Sequence, residues 1–183
     1  MCLRTRAVCD EWLIGRVIAR PFVGRPGAFT RTTNRRDFSM PPPGKTALDI
    51  LLEAGLDVTA VGKIENIFAG RGIVRSFPSH GDAEGMAFVR REIAASRRGL
   101  VFANLVDLDM LYGHRNDAAG YGAALEAFDA ELGRLLDGLG PRDMLIVTAD
   151  HGCDPAFPGT DHTREYVPLL VSSPGLPARP LGV

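Results

Sequence analysis

Three short segments concentrate the side chains able to do chemistry: VDLDMLYGHRND (106–117), TADHGCDP (148–155) and GTDHTREY (159–166). Together they hold Asp107, Asp109, His114, Asp150, His151, Asp161 and His162, and three of the chain's four histidines fall here. Carboxylate and neutral imidazole are the donors that suit Mn²⁺, Zn²⁺ or Fe²⁺ with open coordination positions. The set exceeds what one such ion needs. Two ions ~3.5–4 Å apart would use it, and such a pair clamps the oxygens of a phosphoryl group in transfer. Each residue also has a plainer use. An acid after a strand caps the next helix, which accounts for Asp107 or Asp117 equally well. Asp161 serves equally as a loop-stabilising carboxylate. His80, in FPSHGD, has no companion and reads as structural, and Cys153 reads as a small side chain filling a loop. What separates the metal reading from these is that three Asp/His clusters are expected at the same sheet edge.

That expectation comes from the elements around the clusters. Thr46 to Ala54 has apolar residues at helical spacing and stops at Gly55. Val58 to Val61 reads as a short strand ahead of Gly62 and Lys63. Asp82 to Arg98 reads as a helix with Met86, Val89 and Ile93 on one stripe, and Leu100 to Val106 as a buried strand. Ala118 to Leu139 is the strongest helical pattern, with Tyr121, Leu125, Phe128, Leu132, Leu135 and Leu136 three or four apart. Met144 to Ala149 and Tyr166 to Val171 complete the strands. Strands alternating with helices predict an α/β fold with a mostly parallel sheet. Ligands of such sheets sit beyond the carboxyl ends of the strands. Those ends are Gly62-Lys63, Asp107-Leu108-Asp109 and Asp150-His151, expected along one edge of one sheet.

Residues 1–43 differ, with eight arginines against three acids. Their one apolar run, Leu13 to Val23, is broken by Arg16, Arg20 and Pro21. With Pro41-Pro42-Pro43 at the close, the segment reads as a short strand, a polar loop and a linker. The whole chain has 183 residues, 45% of them hydrophobic, and a net charge of -1. That composition excludes an intrinsically disordered chain and gives no reason to expect nucleic acid. No run approaches the ~18 apolar residues of a membrane helix. Three cysteines far apart match no disulfide framework, so a reducing, cytoplasmic setting is expected. Gly44-Lys45-Thr46 is no phosphate-binding loop, because Ser39 stands where that motif needs glycine.

Residue by residue, the chain resembles the phosphopentomutase family of the alkaline phosphatase superfamily. The likeness runs through GRVIARPFVG, FTRTTNRRDF, VGKIENIFAGRGI, NLVDLDMLYGHRND, TADHG and DHTREYVP, from Gly15 to Val171. It implies an alkaline-phosphatase-like α/β core over 43–183, preceded at 1–42 by the end of a cap domain. It implies two divalent metal ions, manganese above all. Asp109, His114 and His162 match ligands of one ion, and Asp150 and His151 ligands of the other. Arg16, Ile18 and Lys63 match the side that contacts the sugar phosphate. The implied reaction interconverts ribose 1-phosphate and ribose 5-phosphate, and the deoxyribose pair, through a phosphothreonine.

The family's phosphoacceptor threonine and first metal-binding aspartate have no counterpart here, since they lie in a core segment preceding the cap. The chain therefore reads as N-terminally truncated, weak or inactive alone, with a separately encoded N-terminal segment as an expected partner. Two alternatives stand beside this: a non-catalytic metal-binding remnant, and a superfamily relative such as a cofactor-independent phosphoglycerate mutase.

Overall fold

The computed structural model describes every residue except Thr33, Ser96, Leu181 and Val183. Two of these fall within expected elements, Thr33 in the polar loop and Ser96 in the helix from Asp82, and so lie outside the described residues. The chain divides into two compact units, residues 1–78 with 98–103, and residues 79–97 with 104–183.

The first unit opens with helix α1 (Cys2–Glu11) and four short strands, β1 (Arg16–Ala19), β2 (Phe22–Arg25), β3 (Ala28–Arg31) and β4 (Arg36–Ser39). This corrects the single strand and loop expected there. Strands β2 and β3 form a hairpin closed at Pro26-Gly27, with Gly27 at φ +82°. Proline followed by a left-handed glycine is the signature of a type II turn. Strands β1 and β4 pair antiparallel outside it, with Ile18 opposite Asp37. Alternation fails to reveal these strands because their residues are mostly exposed or half-buried and carry arginines. Arg6 of α1 is buried, with its guanidinium donating to Asp10 and to the Ile14 and Phe38 carbonyls. That ties the helix to the outer strand pair.

Beyond the prolines, α2 (Ala47–Glu53) begins where expected. The Thr46 hydroxyl accepts from the Asp49 N–H while the Asp49 carboxylate accepts from the Thr46 N–H, a reciprocal capping box. Next come β5 (Asp57–Gly62), the short α3 (Ile64–Ile67), β6 (Arg75–Phe77) and, after the intervening helix of the second unit, β7 (Gly99–Asn104). They make a three-stranded parallel sheet in the order β6-β5-β7. The core of this unit is Leu48, Val58, Ala60, Val61 and Ile64, all essentially out of water.

In the second unit, α4 (Asp82–Ala94) packs on α5 (Ala118–Asp137). The ion pair between Arg90 and Glu131 joins the two. Met86, Val89 and Leu135 are buried, while Leu125 and Leu136 remain exposed, so the inward face of α5 is narrower than its apolar stripe. The last strands, β8 (Leu145–Thr148) and β9 (Leu169–Ser172), pair antiparallel with each other. Among the described residues β8 is paired with β9, and the parallel pairing is that of the β6-β5-β7 sheet. The physical reason is the connection. Twenty residues without a helix separate β8 from β9, and a return without a crossover element pairs antiparallel. No helix among the described residues is long and apolar enough to cross a membrane.

Candidate metal centre

The second unit alone brings together Asp109, His114, His151 and His162. Asp109 sits in a single π-helical turn, Leu108–Tyr112, followed by a 3₁₀ turn, Gly113–Arg115, that carries His114. Wide helical turns of this kind recur at functional sites. Asn116 ends the segment in the left-handed region at φ 53°, and Asp117 then caps α5 by accepting from the Gly120 N–H. Tyr112 packs over Gly120 so closely that a Cβ there would fall on the ring. The π turn is thereby held against the first turn of α5.

His151 and His162 come from two loops joined by main chain. The Thr163 N–H donates to the Gly152 carbonyl at 3.0 Å, forming an isolated antiparallel bridge. The Thr163 hydroxyl, buried, accepts from the Asp154 N–H at 2.8 Å. Asn116 fastens the third loop: its side-chain amide donates to the carbonyls of Pro155, Phe157 and Gly159. These contacts stack the His151 and His162 rings at 3.7 Å between centroids, with the His114 ring 5.0 Å from His162.

The hub is Asp109. Its Oδ1 lies 3.2 Å from His114 Nε2 and 3.3 Å from His162 Nε2. It belongs to two groups of donors whose ligand atoms all lie within 4.8 Å of one another: Asp109, His151 and His162, and Asp109, His114 and Cys153. Asp150 is exposed, its Oδ2 3.6 Å from His151 Nε2.

The hydrogen-bond partners of the histidines suit a metal. His114 Nδ1 faces the Thr160 carbonyl at 2.5 Å, and His151 Nδ1 faces the Gly152 carbonyl at 3.1 Å. A carbonyl can only accept, so a metal taken up at Nε2 would leave Nδ1–H to donate to it, the arrangement in which outer partners fix metal-binding histidines. These residues fit a divalent ion. Burial, with the Asp109 carboxylate beside it, pushes the Cys153 thiol above its ordinary value.

Asp107 and Asp161 stand apart from the hub. Asp107 Oδ2 accepts from the Asp82 N–H at the start of α4, while Asp82 Oδ1 accepts from the N–H groups of Val106 and Asp107. Asp107 therefore works as a cap. Burial raises the Asp82 carboxyl, opposed by those backbone bonds. Asp161 is exposed on the loop. His80 donates its N–H to Glu84.

Arg16, Ile18 and Lys63 lie in the first unit, around one carboxylate. Arg35 holds Asp37 through two hydrogen bonds, Arg16 Nη1 is 3.7 Å from Asp37 Oδ2, and Ile18 is its partner in the strand register. The Arg35 hydrogen bonds, with the charges of Arg35, Arg16 and Lys63, hold the Asp37 carboxyl below its ordinary value against the opposing cost of burial. A lowered folded value stabilises above the unfolded value of 3.8 and is lost as pH falls through the folded one. Melting of the wild type should therefore drop more steeply below that pH than melting of Asp37→Asn, compared by circular dichroism across an acid series.

Residue types alone gave no warning of Asn116 or Thr163. Their signal is the wording of GHRND and DHTR rather than any ligand chemistry. Asn116→Ala removes three hydrogen bonds to main chain and leaves alanine at positive φ. It should cost about 1–3 kcal/mol in urea unfolding, and Asn116→Gly should recover the backbone part of that loss.

Residues 53–180 match the model of the Metalloenzyme superfamily. The phosphopentomutase of Anaeromyxobacter dehalogenans is 56% identical over 99% of this chain and 47% of its own length. That of Syntrophotalea carbinolica is 58% identical over 96% of this chain and 45% of its own length, and that of Sinorhizobium medicae 55% identical over 100% and 46%. The chain thus spans about half the length of the curated relatives it matches. Among solved structures, the PH0037 protein from Pyrococcus horikoshii superposes with a TM-score of 0.59 at 17% identity, covering 81% of this chain and 46% of that one, a likeness of fold.

Proposed function

The chain belongs to the metalloenzyme superfamily, and on that premise we propose that it serves the reaction of its phosphopentomutase relatives. That reaction moves a phosphoryl group between the 1- and 5-positions of ribose or deoxyribose at a site holding two divalent ions, manganese by preference. The observation that carries the reading is the position of Asp109, whose Oδ1 lies 3.2 Å from His114 Nε2 and 3.3 Å from His162 Nε2. Asp109, His114 and His162 would hold one ion, and Asp150 and His151 the other. When bound, such ions neutralise charge that develops on phosphoryl oxygens during transfer.

The chain's own residues do the rest. Contacts of Nδ1 with backbone carbonyls orient the His114 and His151 rings and leave Nε2 as the nitrogen to meet an ion. Arg16 and Lys63, near Asp37, are suited to grip a sugar phosphate. Asp37 keeps Arg16 and Arg35 extended in place, and one carboxylate among three cations leaves net positive charge for an anion. Ile18, on the strand beside Arg16, offers an apolar wall to the sugar. Residues 1–42 act as the end of a cap and 43–183 as core. Three free cysteines suit a cytoplasmic setting.

Two measurements test this. Calorimetric titration with Mn²⁺ should show binding that weakens ~10–100-fold or more in His114→Ala and in His162→Ala, the range seen when even supporting groups are lost; unchanged binding in both would remove the site. No threonine of this chain stands in the family's phosphoacceptor motif, so turnover of ribose 1-phosphate with Mn²⁺ by these 183 residues alone should be little or none. Robust turnover would overturn the need for a complementing segment.

A further inference from the structure

Cys153 has no role in the reaction proposed above, yet its sulfur faces the hub of the site. Its Sγ is 3.7 Å from Asp109 Oδ1, and with Asp109 and His114 it forms a complete three-donor group. The thiol is half-buried, free of any disulfide, and rests directly over Gly113, where a Cβ would fall on the sulfur. Gly113 is itself buried, so the hollow that admits the sulfur depends on glycine at that position.

The spacing suits one ion. Zn–S bonds of ~2.3 Å and Zn–N bonds of ~2.0 Å place tetrahedral ligand atoms about 3.5 Å apart. The separations here are 3.7 Å from sulfur to carboxylate and 3.2 Å from imidazole to the same oxygen. His114 Nε2 is the ring nitrogen on the Asp109 side, while Nδ1 faces the Thr160 carbonyl. Thiolate is a soft donor that favours zinc and cadmium, whereas carboxylate and imidazole alone suit manganese.

We propose that Cys153 gives this site a second, thiophilic mode, in which Asp109, His114 and Cys153 take a soft divalent ion such as Zn²⁺ or Cd²⁺. The proposal rests on the divalent-metal reading of the same site. On binding, the ion forms a bond to sulfur, the S–H bond breaks, and the proton leaves to solvent. Asp109 and His114 serve both modes, so a soft ion competes with manganese. Cys153 thus acts as a specificity residue: it makes the site vulnerable to capture by zinc.

Titration of the full chain with CdCl₂, followed by near-ultraviolet absorbance, tests this, with CoCl₂ as a second probe. The expected result is a sulfur-to-cadmium charge-transfer band that saturates at one equivalent and is lost in Cys153→Ser. The ratio of Cd²⁺ to Mn²⁺ affinity should fall by at least ~10-fold in that variant, the low end of the loss seen when even a supporting group is removed. Visible d–d bands of Co²⁺ in Cys153→Ser would show that the remaining ligands still assemble. Co²⁺ bands in the wild type without any charge-transfer band would overturn the thiol mode and leave the metal site standing. A charge-transfer band that survives in Cys153→Ser would assign the sulfur to Cys2 or Cys9 and overturn it as well. Absence of all Co²⁺ and Mn²⁺ binding would overturn the metal reading itself.

Discussion

Asp109→Ala should weaken binding of Mn²⁺ and of Co²⁺ more than either histidine variant does. Both three-donor groups among the described residues include this carboxylate, which lies within 3.3 Å of two imidazole nitrogens and 3.7 Å of a thiol. Removing a peripheral supporter of a metal site costs ~10–100-fold in affinity. Removing the common vertex takes a charged oxygen from both groups at once and leaves Asp150, beside His151, as the neighbouring carboxylate. The fold should survive, because Asp109 lies in an exposed-to-half-buried turn and not in the core. Calorimetry at millimolar metal, with a thermal melt as control, makes the check. Retained micromolar affinity would show that the ion sits elsewhere.

The second large effect comes from a residue that donates nothing. A Cβ at Gly152 would lie 2.8 Å from the Thr163 carbonyl oxygen and against the Glu165 carboxylate. The carboxylate swings away at little cost; the backbone oxygen does not. Gly152→Ala should therefore open the Gly152–Thr163 bridge, part the His151 and His162 rings, and cost about 1–3 kcal/mol as an overpacked site. Metal affinity should drop with it, although every ligand is intact. Excess metal should rescue occupancy more readily in this variant than in Asp109→Ala. Equal, unrescued loss in both would mean that Gly152→Ala unfolds the unit instead of loosening it.

Local signals in the chain were enough for part of this architecture. Thr46 and Asp49 mark a helix start through chemistry contained in four residues, and α2 begins there. Strand β5 lies under an apolar run whose residues are nearly all buried. The first forty residues were less readable because their strands are paired by register between distant partners and bury little, so no alternation betrays them. The apolar run from Leu13 to Val23, read as one short strand, contains β1 and the start of β2. Strand β8 looked like its neighbours as a run of apolar residues, and only the route of the chain after it decides an antiparallel partner.

The site divides in the same manner. Aspartates and histidines announce themselves by type, but their proximity depends on three loops separated along the chain and joined by main-chain bonds that no residue type predicts. Asn116 and Thr163 look like ordinary loop polar residues until their partners are seen. Cys153 looked like filler because its closeness to Asp109 depends on the empty position at Gly113, forty residues earlier. Arg16 and Ile18 meet Asp37 through the β1–β4 register, and Lys63 adds its charge from the start of α3, again long-range facts.

The bridge between Gly152 and Thr163 and the clamp of Asn116 make loop closure and ligand assembly one event. An ion that binds only the closed loops adds its binding free energy to their stability, ~2.7 kcal/mol at a hundredfold excess over its dissociation constant. The same linkage runs backwards: whatever slackens the clamp is felt as a weaker ion, at a distance, by side chains it never touches. Affinity at this centre is thus set by the stiffness of the backbone that closes it as much as by the identity of the donors.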